Sequence, residues 1–456
     1  MFVTKRKIGV LFLTIIVLGS SILVVQVNNA FIYHSNSIRN DDGSLIQFSN
    51  DTGKKVPLVL WWTPFGSSGK LKKCGNVTCY FTDDRNFEGH EELKSILFYG
   101  SNIELEDLPR WRSRSVTWGI MHEESPRNNP MLVHEEALGL FNYSSTFSRS
   151  SDVPLTLIDL PGIDHLISKK YFVNFEEKKK SMETENLAPL LYIQSDCNTA
   201  SNRDLYILEL MKHIKIDSYG ACLNNAQLEE QFKGNYLESL NSQDFLSFVS
   251  KYMFTIAFEN AVCQDYITEK LWRPLVVGSV PVYYGSPTFK DWLPNNKSAI
   301  SATDFSNPKD LADFILFLTK NASAYNEYLS HKLDDDNQIK NQRLLDALRN
   351  RPLGGRNDFG NYVEEFECFV CRNSIKDTRK DSERIMSVEQ YDCPLPKNPI
   401  TNEIDKNDWW LRQWILEKCS AKLLAKSLQN NLTFDIASFD RKKLRMYRTG
   451  ECVDVD

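Results

Sequence analysis

The segment from Tyr252 to Gly285, YMFTIAFENAVCQDYITEKLWRPLVVGSVPVYYG, constrains this chain more than any other. Met253 to Phe258 is a short apolar run of strand formers, and Glu259 and Asn260 stand where it stops. Asp265 or Thr268 can cap a helix running through Glu269, Lys270, Leu271 and Trp272, because a side-chain oxygen there satisfies amides that the first helical turn leaves unpaired. Gly278 suits the left-handed residue that ends such a helix. Val280 to Tyr284 is a second buried strand, closed by Gly285. Strands joined through a helix run parallel, and open parallel sheets bind ligands at the carboxyl ends of their strands. Glu259, Tyr266, Glu269 and Lys270 gather at that edge. A helix N-terminus beside a lysine suits a diphosphate, and a carboxylate suits ribose hydroxyls. The same residues also fit an ordinary βαβ core with a solvated Glu–Lys pair.

The succession FEN, DYITEKLW and G-S-VPVYYG closely resembles the nucleotide-sugar motif of the α-1,3-fucosyltransferase family, and FENAVCQDYITEKLWRPL is most similar to a divergent branch of it. The resemblance extends over about residues 56 to 375. It implies two Rossmann-like α/β domains with a cleft between them, the arrangement called GT-B. It also implies GDP-fucose as co-substrate, with Arg203, Glu259, Asn260, Tyr266, Glu269 and Lys270 on the donor. Arg203 and Lys270 together suit a diphosphate better than either alone. Read alone, Arg203 is an exposed helix arginine.

Along the chain, the 456 residues allow two or three domains, and a net charge of −6 gives no reason to expect a nucleic-acid partner. Lys5, Arg6 and Lys7 precede an uncharged apolar run from Ile8 to Val27, long enough to span a bilayer. Basic residues on that side place the N-terminus in the cytosol and the remainder in the lumen. A cleaved signal peptide is the competing reading. The expected arrangement is a type II signal-anchor in the Golgi or endoplasmic reticulum membrane (residues 1–30) followed by a polar stem (31–55). Sequons at Asn50, Asn76, Asn142, Asn296, Asn321 and Asn431, with ten cysteines, suit a luminal chain.

Strand-like pieces at Val56 to Trp62, Cys74 to Phe81, Ser95 to Tyr99, Ser115 to Met121 and Leu138 to Thr146 define an N-terminal α/β domain over 56–165. The charged stretch 166–187 reads as a linker. A second α/β domain, 188–350, opens with Leu190 to Gln194 and a helix from Asn202 to His213 whose apolar residues are Leu205, Leu208 and Met211. Residues 351–456 form a helical, cysteine-containing tail. Its Trp409, Trp410 and Trp414 suit packing against the body better than a sugar platform.

Fucosyl transfer from GDP-fucose inverts the anomeric centre, so a base must take the acceptor proton as the new bond forms. The resemblance assigns that role to the Glu of the Glu-Ser-Pro triplet, here Glu124. Alone, Glu123 and Glu124 read as a surface acidic pair after a strand. Adjacent side chains on extended backbone point opposite ways, so only one of the two should face the cleft. Phe147 to Asp152 (FSRSSD) departs from the family's Tyr-Arg-Arg-Asp-Ser-Asp. Arg149 survives as a donor or acceptor contact, and Glu123 is a second candidate. Pro274 interrupts a helix that the family fills with a helix former. The two Asp-x-Asp strings, at Asp334 to Asp336 and Asp454 to Asp456, follow no strand, so no metal is expected.

Family membership implies α-1,3 transfer to N-acetylglucosamine of a glycoprotein glycan. A Ser or Thr of a folded protein domain is the alternative acceptor, and a non-catalytic luminal binder of GDP-sugar or glycan is a reading of another class. Cys368-x-x-Cys371 fits a zinc knuckle, a thioredoxin-like motif or structural disulfides, the last being plainest. The resemblance implies Cys74–Cys368 and Cys79–Cys371. Cys197 and Cys222 each follow a strand and can pair across neighbouring strand ends.

Overall fold

Apolar runs bounded by turn formers become the central strands of two sheets in the computed structural model, which describes residues 38–39, 45–46, 55–109, 112–113, 115–228, 232, 242–336, 338–352, 359–375, 384–430, 432 and 435–452. The expected membrane helix, most of the stem, and the sequons at Asn50 and Asn431 lie outside the described residues. Among the described residues, no helix is long and apolar enough to cross a membrane. The chain divides into two compact units, 1–56 and 57–456. In the first, β1 (Ile38–Arg39) pairs antiparallel with β2 (Leu45–Ile46). Everything below concerns the second.

Its first sheet holds β3 (Leu58–Trp61), β4 (Lys70–Cys74), β5 (Val77–Thr82), β6 (Leu93–Tyr99), β7 (Thr117–His122) and β8 (Tyr143–Thr146), in the order β4-β5-β3-β6-β7-β8. Only the edge strand β4 is antiparallel to its neighbour. The second sheet holds β9 (Leu190–Ile193), β10 (Ile216–Tyr219), β11 (Phe254–Phe258), β12 (Val280–Tyr284) and β13 (Ile300–Ser301), all parallel, in the order β10-β9-β11-β12-β13. With β4 set aside, both sheets share one order: second strand, first, third, fourth, fifth. In such sheets the chain leaves the first and third strands in opposite directions and opens a crevice between their carboxyl ends. In the second sheet that crevice lies beyond Ile193 and Phe258.

The helices that matter below are α1 (Phe175–Thr184), α2 (Arg203–Leu210), α3 (Gln243–Ser250), α4 (Glu269–Val277), α5 (Pro308–Leu318), α6 (Phe359–Asn373), α7 (Trp409–Gln429) and α8 (Ile436–Thr449). Two expectations are corrected. The charged stretch read as a linker carries α1, started by an Asn174–Glu177 capping box. Its Lys178 is wholly buried and donates to the Tyr252 and Gly278 carbonyls, both at 2.8 Å. Burial pushes Lys178 down to about 7. A charge run says nothing about carbonyls left over at the end of another helix, and one lysine of the run was recruited to them. On α2 the apolar residues Leu205 and Leu208 are 44% and 51% exposed, while Tyr206, Ile207 and Leu210 face the core.

Disulfides join Cys74–Cys368, Cys79–Cys371, Cys197–Cys222, Cys263–Cys393 and Cys419–Cys452, and no cysteine is free. Cys368 and Cys371 sit one turn apart on α6, so both reach β4 and β5; no thiol remains for a zinc knuckle or a redox pair. Between these bonds Glu367 of α6 is buried and accepts from Trp61 Nε1 (2.8 Å), Ser67 N (2.6 Å) and Lys72 Nζ (2.5 Å). The sequon asparagines Asn76 and Asn296 are exposed. Asn321 caps the short helix that follows it. Asn142 is corrected as a glycan acceptor: it is buried, and its Nδ2, the atom that would carry the sugar, donates to the Arg384 carbonyl at 2.8 Å.

Candidate active site

Glu259 follows β11 and is wholly buried. Its Oε1 accepts from Thr268 N at 2.9 Å and its Oε2 from Thr268 Oγ1 at 2.8 Å. A Cβ on Gly285 would sit 2.6 Å from Glu259 Cγ, so only glycine there leaves the carboxylate room. The expected ribose contact from Glu259 is therefore corrected. Each of its oxygens accepts from Thr268, the N-cap of α4, and the buried side chain does not line the cleft. Glu259 sets the turn from which α4 starts.

Lys270 stands on that first turn. Its Nζ donates to Thr268 Oγ1 (3.1 Å) and Glu269 Oε1 (3.2 Å) and lies 3.7 Å from Glu259 Oε2. Burial alone would lower the ammonium, but Glu269 and Glu259 outweigh it and hold Lys270 above its ordinary value. Burial would raise Glu269, yet Lys270 and Arg273 hold it down at about 2. Lys270 therefore stays charged in the first turn of α4, beside the unpaired amides of the helix start.

Arg203 is buried, not exposed. Its Nη1 donates to the Phe258 carbonyl (3.0 Å) and its Nη2 to the Asp196 carbonyl (2.6 Å), which pins the guanidinium at the crevice between β9 and β11. Arg203, Asn260, Tyr266, Glu269 and Lys270 all line one cleft of about 1450 Å³. Five buried polar atoms of its lining residues have no hydrogen-bond partner among the described residues: Glu123 Oε2, Arg203 Nε, Asn260 Oδ1, Trp272 Nε1 and Arg273 Nε. Buried polar groups are seldom left unpaired, so this wall is prepared for a polar ligand.

The first sheet supplies the opposite wall. β7 ends at His122, whose ring is buried and stacked on Tyr391 at 5.5 Å; burial pushes it down to about 3. Glu123 and Glu124 follow. Both line the cleft, where one was expected to. They differ in what holds them. Glu123 Oε1 accepts from Tyr99 Oη at 2.5 Å. Glu124 is held through its backbone, whose carbonyl accepts from Tyr391 Oη at 2.6 Å. Its carboxylate faces the cleft, where burial raises it, Lys270 opposes the rise and Glu269 adds to it.

Arg149 is corrected as a ligand contact. Its guanidinium straddles Asp265, with Nε 2.7 Å from Oδ2 and Nη2 2.5 Å from Oδ1, and its Nη1 meets Asp291 at 2.7 Å. It also lies over the Trp292 ring at 4.7 Å. Tyr266, next to Asp265, meets Phe147 edge-on at 5.1 Å, so the altered FSRSSD segment braces the donor loop. Pro274 sits inside α4 without disturbing Lys270.

Sequence reasoning missed several cleft residues, Arg273 and Asp159 among them. Arg273 lies one turn beyond Glu269, a spacing that could have revealed it. Asp159 follows the last residues of the first half, where no pattern marks it; burial first, then Glu269, pushes it up to about 7.

A doubly wound half that presents a cation and a helix N-terminus, facing a carboxylate from a second such half, suits transfer of a group from a diphosphate leaving group. Residues 181–352 match the glycosyltransferase family 10 (fucosyltransferase) C-terminal model, and 53–157 match the fucosyltransferase N-terminal model. The rat protein named GDP-fucose protein O-fucosyltransferase 3 is 40% identical over 89% of this chain and 86% of its own. Drosophila melanogaster alpha-(1,3)-fucosyltransferase B is 37% identical over 98% of both. A crystal structure of an alpha1,3-fucosyltransferase with GDP-fucose matches 75% of this chain and 95% of its own at 15% identity, with a TM-score of 0.38. The chain belongs to glycosyltransferase family 10. It is a fucosyltransferase.

Proposed function

We propose that this chain is an inverting fucosyltransferase whose acceptor is the hydroxyl of a Ser or Thr in a folded protein domain. The observation that carries the chemistry is the Glu124 carboxylate, which lines the cleft with Lys270 and has no side-chain hydrogen-bond partner among the described residues. The acceptor oxygen attacks the fucose anomeric carbon as its proton passes to Glu124. The bond from that carbon to the diphosphate breaks, and GDP departs towards Lys270, Arg273 and the start of α4. Attack from the far side turns a β-linked donor into an α-linked product without a covalent intermediate.

The protein acceptor is supported by the rat relative, a protein O-fucosyltransferase by name and similar over most of both chains. A second reading, α-1,3 transfer to N-acetylglucosamine of a glycoprotein glycan, is supported by the name of the Drosophila relative. Labelled GDP-fucose offered to N-acetyllactosamine, N-glycan cores and small disulfide-rich domains separates the two. Label on protein that resists glycan-releasing enzymes supports the first reading, and label confined to glycans overturns it.

The reading extends to catalysis without an obligatory divalent ion, because Lys270 and the helix start supply positive charge where GDP departs. It extends also to a single-pass type II chain with its catalytic region in the lumen of the Golgi or endoplasmic reticulum. The basic residues before Ile8 to Val27 and the five disulfides support that placement.

A further inference from the structure

The last two helices carry a charge that the whole chain does not. From Trp409 to Cys452 there are nine Lys and Arg against four Asp and Glu, in a chain of net charge −6. α8 buries Phe439 and brings Lys443 to 3.9 Å from Glu417 of α7, and the Cys419–Cys452 bond ties the end of α8 back to α7. Its other face carries Arg441, Arg445 and Arg448 at positions i, i+4 and i+7, with Lys442 alongside. All four are exposed, and none has an ion-pair partner among the described residues. None lines the cleft, so the donor does not need them.

The root of this hairpin sits at the mouth of the cleft. Trp410 Nε1 donates to the Asn198 carbonyl at 2.8 Å, and Asn202 Nδ2 donates to Asp408 Oδ2 at 2.6 Å. Arg127, three residues beyond Glu124, lies over the Trp410 ring at 5.7 Å and pairs at 3.2 Å with Asp196, which lines the cleft. The His134 ring meets Trp414 at 4.3 Å. α7 is thus fastened to the loop that carries Glu124 and to the loop that carries Asp196, and Trp409 is left half exposed beside them.

We propose that the α7–α8 hairpin is the docking surface for the acceptor protein, which presents an acidic face to Arg441, Lys442, Arg445 and Arg448 while its hydroxyl reaches Glu124. The inference rests on the protein-acceptor reading above. A stripe spread along more than one helical turn, outside the cleft, matches the surface of a folded domain rather than a single sugar. Opposite charge there steers the encounter and sets its orientation.

The test uses the full chain and the disulfide-rich domain that takes up the most label from GDP-fucose. In the variant Arg441→Glu, Lys442→Glu, Arg445→Glu, Arg448→Glu, KM for that domain rises about tenfold or more, kcat holds within about twofold, and hydrolysis of GDP-fucose by water is unchanged. Added salt raises the wild-type KM and leaves that of the variant flat. Trp409→Ala, a milder change on the same rim, raises KM as well and serves if the charge reversal misfolds. An unchanged KM in the variants while the wild type labels protein overturns the docking inference alone. Label confined to glycans in the wild type overturns the protein-acceptor reading and this inference with it. Loss of sedimentation with phosphatidylserine vesicles at unchanged KM assigns the stripe to a lipid surface and also overturns it.

Discussion

Arg149 and Asp265 meet across the two halves of the molecule. The guanidinium comes from the loop after β8, and the carboxylate from the loop that leads into α4. Asp265 is 4% exposed and holds a left-handed backbone at φ 62°. Trp292 Nε1 (2.9 Å) and Thr288 Oγ1 (2.7 Å) also donate to it. Burial opposes its charge, but these donors outweigh it and keep the carboxyl below its ordinary value. Arg149→Ala leaves that charge short of its strongest partner. Stability is expected to fall by about 1.5–3 kcal/mol, the usual size for a hydrogen bond to a charged group. Because Tyr266 and Thr268 follow directly, KM for GDP-fucose rises too. Arg149→Lys does not restore it, since an ammonium cannot straddle a carboxylate. Urea midpoints and donor kinetics check both points.

Lys270→Ala removes the ammonium beside the α4 start. GDP affinity is expected to drop roughly ten- to a hundredfold, as for a lost charge-assisted hydrogen bond. Titration calorimetry with GDP measures it. Unchanged binding by a folded variant contradicts the placement of the diphosphate.

Glu124 works as a carboxylate, so protonation removes the base. Its burial puts that loss above the ordinary glutamate value of 4.5. Turnover is expected to fall as pH drops through this raised midpoint. Glu124→Gln lowers turnover about 10²- to 10⁴-fold, with GDP binding intact. Glu123→Gln, at a side chain already held by Tyr99, has the smaller effect; the reverse order contradicts the assignment.

The Cys74–Cys368 and Cys79–Cys371 bonds close loops of 294 and 292 residues. Loop-closure entropy alone makes such a bond worth on the order of 5 kcal/mol, though measured gains often fall short. Cys368→Ser with Cys74→Ser is expected to lower Tm clearly while leaving donor binding intact, because the bond ties α6 to the first sheet and touches no cleft residue. Scanning calorimetry beside GDP titration separates the two effects.

A strong chelator is expected to leave fucosyl transfer intact. Complete loss that manganese restores would show that Lys270 and the helix start do not suffice for the leaving diphosphate.

The strand, helix and strand from Met253 to Tyr284 were legible along the chain, as was the place of Lys270 on the first turn of α4. So was Glu124 just past the end of a strand, once the Glu-Ser-Pro triplet was read by resemblance. These depend on periodicity, caps and spacing over a few residues, which neighbours in sequence dictate. Sequence could not say what each polar group would touch. Glu259 stands at the carboxyl edge and looked like a ribose contact, yet it is wholly buried against Thr268 and does not line the cleft. Arg149 looked like a ligand contact until Asp265 and Asp291 claimed its nitrogens from over a hundred residues away. Lys178 lay in a charged stretch that read as a linker, yet two carbonyls of the second half close on it. Asp159 joined the cleft only through the approach of the two halves. A side chain's chemistry belongs to its residue type, but whether that chemistry remains available depends on which distant groups the fold brings within about 3 Å to satisfy it.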